Sequence, residues 1–114
     1  MFKKITICYT LLIICVSLIP IPELPFPEFS LSDKSLHLIA YFIMSVMWIR
    51  LGFLESNKIK WNYFFLVLFT ALTTELLQGV LPICRYFEIA DMIANCIGIV
   101  LGIFVSYIYI IKNK

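Results

Sequence analysis

Three apolar stretches of similar length constrain this chain more tightly than anything else in it: Leu36 to Leu54, Trp61 to Leu81 and Ile89 to Ile111. An α-helix rises ~1.5 Å per residue, so about 20 apolar residues cross the ~30 Å hydrocarbon core of a bilayer. Each stretch is long enough. A fourth, Ile5 to Ile19, is shorter and is preceded by Lys3 and Lys4. Composition agrees with a lipid-dissolved chain. Of 114 residues 62% are hydrophobic and only 14% are charged, too few to cover a soluble domain of this size.

The short first run also fits a secretory signal peptide. No small-x-small cleavage site follows it; Pro20, Ile21, Pro22, Glu23, Leu24, Pro25, Phe26 and Pro27 do. We therefore expect a retained helix, with the signal peptide as the alternative. The fold expected is all-α: a polytopic membrane protein, a bundle of four transmembrane helices at about 5–19, 36–54, 61–81 and 89–111, forming a single domain over 1–114. Prolines make Pro20 to Ser32 an extended loop. Ser32 is suited to cap the second helix, with Asp33 in its first turn. The second loop, Glu55 to Lys60, carries Lys58 and Lys60, and the third begins at Pro82 and holds Arg85 and Glu88.

Charge placement orients the bundle. An even number of spans puts both termini on one side, with Lys3, Lys4, Lys58, Lys60, Lys112 and Lys114, and with Arg50 nearby. The opposite side has Lys34 and Arg85. The positive-inside rule then makes the termini cytoplasmic and turns the Pro-rich loop and the Arg85 loop outward. The net charge of +2 is too small to suggest a nucleic-acid partner. Cys8, Cys15, Cys84 and Cys96 form no C-x-x-C pair and no zinc-finger spacing. Cys8 and Cys15 read as small hydrophobes. A bridge between Cys84 and Cys96 stays open.

The unusual polar residues gather toward the outer ends of the last three spans. Asp33, His37 and Tyr41 are spaced four apart and share one helix face. Glu75 and Gln78 share a face of the third span. Asp91 and Asn95 begin the fourth, and Gly98 and Gly102 continue their stripe inward. His37, Glu75 and Asn95 sit at similar depth, roughly 5–10 Å inside the outer helix ends. A carboxylate facing lipid is costly, so Glu75 should face the bundle or a wet cavity, with His37, Arg85 or Lys34 as partner. The blander alternative makes these residues interhelical glue and helix caps. Arg50 reads as a snorkelling side chain. Trp61, Tyr63, Tyr107 and Tyr109 read as interface or packing aromatics, and Gly98-x-x-x-Gly102 as a close helix contact.

The same residues carry a resemblance. Asp33-Lys34-x-x-His37-x-x-x-Tyr41 resembles the first motif of the VanZ-like family of small membrane proteins. Glu75-x-x-Gln78, Pro82, Arg85 and Asp91-x-x-Ala94-Asn95-x-x-Gly98-x-x-x-Gly102 resemble the second. The likeness runs from the second helix to the end of the fourth. Where the family often has a Pro-Gly-Arg turn, Ile83 and Cys84 separate Pro82 from Arg85, which bears on the shape of that loop. The resemblance implies a multi-pass protein of the bacterial cytoplasmic membrane. The family's name-giving member is associated with resistance to the glycopeptide teicoplanin.

Three classes of function follow. In a binding or envelope-modifying role, Lys34 and Arg85 would engage an anionic lipid-linked headgroup, oriented by Asp91 and Glu75, with Asp33, Tyr41, Gln78 and Asn95 lining the same pocket. In a membrane hydrolase or transferase, His37 would be the general base, Glu75 its orienter and Arg85 the anion stabiliser. In a proton-coupled carrier, Glu75 and His37 would form a relay. One histidine is a thin ligand set, so no metal is expected, and no cofactor. The partners expected are a membrane lipid or lipid-linked cell-wall precursor, or further copies of the chain.

Overall fold

The computed structural model describes residues 1–18, 29–80 and 89–112, including every side chain among these except those of 29–33. It is all-helical: α1 is Phe2–Leu18, α2 Phe29–Ser56, α3 Trp61–Val80 and α4 Ile89–Lys112. Three helical segments are long and apolar enough to cross a membrane, Lys34–Ser56, Trp61–Val80 and Ile89–Lys112. With 17 residues, α1 spans about 25 Å.

One boundary differs from the sequence expectation. Ser32 does not cap α2, because the helix already begins at Phe29 and carries Ser32 and Asp33 within it. The physical reason is that apolarity marks where a helix enters lipid, not where it starts. Beyond Pro27 nothing in the chain forbids helical dihedrals. The far end of α2 is closed locally. Asn57 takes a left-handed conformation (φ 57°) and its N–H donates to the Phe53 carbonyl at 2.7 Å. The Tyr63 hydroxyl and Lys60 both engage Glu55 across this turn.

Helix α2 is the hub, packing against all three other helices. Its inward face carries Tyr41, Met44, Trp48 and Leu51, which meet Val67 and Ala71 of α3 and Ile99 of α4. Polarity is inverted relative to a water-soluble bundle. The buried face of α4 is Asp91, Ala94, Asn95, Gly98, Ile99, Gly102 and Ser106. The buried face of α3 is Val67, Thr70, Ala71, Thr74, Glu75 and Gln78. Outward stand Phe65, Phe69, Leu76, Ile93, Val100 and Phe104, all largely exposed. So continuous an apolar exterior would aggregate in water. In hydrocarbon it is the solvated surface, and the small and polar residues hold the helices together.

Helices α2 and α4 run parallel and in very close contact. A Cβ placed on Gly98 would collide with the Leu38 carbonyl oxygen and lie 3.1 Å from the Phe42 nitrogen. One on Gly102 would lie 2.8 Å from the Phe42 carbonyl oxygen and from the Ser45 Cβ. Only glycine lets the two backbones approach this closely. Ser45 uses the proximity, donating to the Ile99 carbonyl at 3.1 Å. Helix α1 is tied in by Trp48, whose Nε1 donates to Thr10 at 2.8 Å, and by Tyr9, which donates to the Ala40 carbonyl at 2.8 Å.

Candidate functional site

The close α2–α4 contact fixes what can meet above it. One turn beyond Gly98, Asn95 is buried and faces His37. Its Oδ1 lies 3.1 Å from His37 Nδ1. With Oδ1 as acceptor, His37 donates through Nδ1. A turn further out, Lys34 Nζ lies 3.7 Å from Asp91 Oδ1. Asp91 is buried while the lysine is partly exposed, so the pair leads from the bundle interior to its rim. The two contacts are successive rungs between the same parallel helices.

Helix α3 supplies the third wall. Glu75 is 1% exposed and Gln78 is buried on the same face. Thr74 shares a 3.0 Å hydrogen bond with the Tyr41 hydroxyl. Gln78 reaches toward α1. Its Nε2 donates 2.9 Å to the Ser17 carbonyl near the end of α1. Beside His37 a cavity of about 240 Å³ opens between α1 and α2, bordered by Ile13, Val16, Ser17, Ala40 and Tyr41.

The site thus gathers Lys34, His37 and Tyr41 from α2, Glu75 from α3, and Asp91 and Asn95 from α4. The sequence alone offered His37, Arg85 or Lys34 as partners of Glu75. The structure sets His37 against Asn95 and Lys34 against Asp91 as well. Asp33 occupies α2 one turn before His37, and its side chain lies outside the described residues, as do Arg85 and Cys84. Cys96 is a free thiol, as are Cys8 and Cys15, so the bridge to Cys84 is not made. Among the described residues no three histidine, cysteine or carboxylate side chains converge on a metal position.

Two contributors escaped the sequence reading. Thr74 binds Tyr41, and α1 contributes a carbonyl and one cavity wall. Thr74 had a visible signal: Thr70, Thr74 and Gln78 recur every four residues inside an apolar run. The role of α1 had none, since a backbone carbonyl is present in every residue.

Lipid-facing apolar surfaces around a polar and small-residue interior define a helical membrane protein of several spans. Within that class the chain belongs to the VanZ/LLP1 family, which it matches over residues 6–111. No curated protein and no solved structure gives a significant match to it.

Proposed function

We propose that this protein acts at the envelope of a bacterial cytoplasmic membrane, binding an anionic lipid-linked headgroup at the polar cluster beside the cavity between α1 and α2. The observation that carries this reading is the pair of rungs, Lys34 with Asp91 and His37 with Asn95, over buried Glu75. A carboxylate and an amide buried at membrane depth are expensive, and such groups ordinarily mark a binding or transport path. Lys34 at the rim supplies a cation for a phosphate, and Asp91 holds that cation in place. Family membership is consistent with an envelope role linked to glycopeptide resistance, through altered presentation of the drug's wall target.

In this reading α1 is the fourth span. Its Phe2 packs near Arg50 and Ser106 at one end of the bundle, and its Ser17 meets Gln78 at the other. It therefore travels through most of the thickness the longer helices cross. The lysines at the terminal end then place both termini in the cytoplasm and open the pocket to the exterior.

The test is binding of a purified lipid-linked wall precursor to the wild type and to Lys34→Ala, Arg85→Ala and Asn95→Leu. Binding should weaken about tenfold when a phosphate-facing cation is lost. Equal affinity for all four proteins would dismiss the proposal. A second reading makes His37 a general base in headgroup modification. It is favoured by the position of His37 on the wall of a cavity, within reach of a bound headgroup. Turnover surviving in His37→Ala would eliminate it.

A further inference from the structure

A second cavity lies at the opposite end of the bundle, on the side of the chain termini. It measures about 390 Å³ and opens between α2 and α4, with Val46, Met47 and Arg50 on one side and Val105, Ser106 and Tyr109 on the other. Two of its polar groups are left without ordinary partners. The Arg50 guanidinium stands over the Tyr109 ring at 5.3 Å and meets no carboxylate among the described residues. The nearest acid at that end, Glu55, is engaged by Lys60 and Tyr63. Ser106 is 7% exposed, and its hydroxyl makes no hydrogen bond among the described residues. That is unusual in this molecule. Thr6, Thr10, Ser56, Thr70 and Thr74 all donate to the carbonyl four residues earlier.

A buried hydroxyl without a partner is unfavourable unless something supplies an acceptor. An unneutralised guanidinium one helix away defines which acceptor fits: an anion with several oxygens. The rest of the lining is mostly apolar, Phe2, Val46, Met47, Val105 and Ile110, so the ligand must also be an amphiphile. Lys3, Lys4 and Lys112 add positive charge around the same end. We infer that this groove is a binding site for an anionic phospholipid of the termini-side leaflet. Its phosphate is held by Arg50 and Ser106, and an acyl chain lies along Val46, Met47 and Val105. The site is separate from the pocket around His37 and stands whether or not that pocket binds a lipid-linked headgroup.

The purified full-length chain in detergent tests this by native mass spectrometry, titrating phosphatidylglycerol, phosphatidylcholine and free glycerol 3-phosphate. Wild type should retain phosphatidylglycerol about tenfold more tightly than Arg50→Gln, and a few-fold more tightly than Ser106→Ala. Lys58→Gln, outside the groove, should match wild type. Tighter binding of phosphatidylglycerol than of glycerol 3-phosphate identifies a lipid as occupant, whereas equal binding assigns only a phosphate site and overturns the lipid proposal. Equal retention of phosphatidylcholine, or by Arg50→Gln, overturns it too. A photoactivatable phosphatidylglycerol on the wild type needs no variant at all. Adducts should map to 46–50 and 105–110, and adducts confined elsewhere would contradict the assignment.

Discussion

Replacing single glycines by alanine is the sharpest test of how the site is held. Alanine is favoured over glycine within a helix by roughly 1 kcal/mol, so an isolated helix would gain from each change. The bundle makes the outcome depend on what the new methyl meets. At Gly98 it meets backbone on the facing helix, the Leu38 carbonyl and the Phe42 nitrogen, neither of which can rotate away. Helices α2 and α4 must separate by on the order of 1 Å to restore ordinary contact. Overpacking of this kind costs ~1–3 kcal/mol. The same separation stretches the His37–Asn95 contact, now 3.1 Å, beyond hydrogen-bonding range. An interhelical hydrogen bond in a membrane contributes about 0.6 kcal/mol. Gly98→Ala should therefore lose about 2 kcal/mol net. At Gly52 the methyl instead meets Lys60 Cβ at 3.1 Å and Tyr63 Cδ2 at 3.2 Å, side chains near a helix end that can yield. Gly52→Ala should change stability by less than about 0.5 kcal/mol, the propensity gain offsetting the adjustment. Gly102→Ala falls between, since its nearest contacts, the Phe42 carbonyl oxygen and Ser45 Cβ at 2.8 Å, cannot rotate away but are looser than the Leu38 contact at Gly98. Reversible unfolding in bicelles, read by steric trapping, ranks the three. If Gly98→Ala were as stable as Gly52→Ala, the close parallel contact of α2 and α4 would be wrong.

Other consequences are equally direct. His37→Leu and Asn95→Leu should abolish the same function at normal protein abundance, and the double variant should be no worse than either, because each removes one end of a shared hydrogen bond. Glycopeptide susceptibility scored alongside abundance checks this. Trp48→Phe and Thr10→Val should each destabilise by about 0.6 kcal/mol, up to ~1.7. A double-mutant cycle should return a coupling of that size, and zero coupling would refute the Trp48–Thr10 bond. Gln78→Leu should loosen the far end of α1 by releasing the Ser17 carbonyl. Hydrogen exchange near the C-terminal end of α1 should speed up there and stay unchanged in the middle of α3. Topology reporters fused to either terminus should report the cytoplasm, and an external signal would reverse the pocket's proposed direction.

The site was partly legible before any coordinates. Four-residue spacing put Asp33, His37 and Tyr41 on one face, and Asp91, Asn95, Gly98 and Gly102 on another. Depth counting put three helices' polar residues at one level. Pairing was not legible. Spacing did not foretell that His37 meets Asn95, a contact that forms because the glycine stripe brings α4 against α2 at that height. Nor did spacing foretell that Gln78 fastens α1. The start of α2 was missed because apolarity reports lipid contact, whereas helix formation continues into water until a breaker intervenes.

Sequence alone determined the solvent, three of the spans and their polar faces, because each follows from local quantities: the transfer energy of consecutive side chains and the 3.6-residue turn. Tertiary structure decided which face meets which, and so which acid, amide or base becomes whose partner. That choice depends on how each helix rotates and slides against its neighbours. In lipid it is set by the fit of glycines, hydroxyls and amides, since apolar surface is as well solvated by lipid as by another helix.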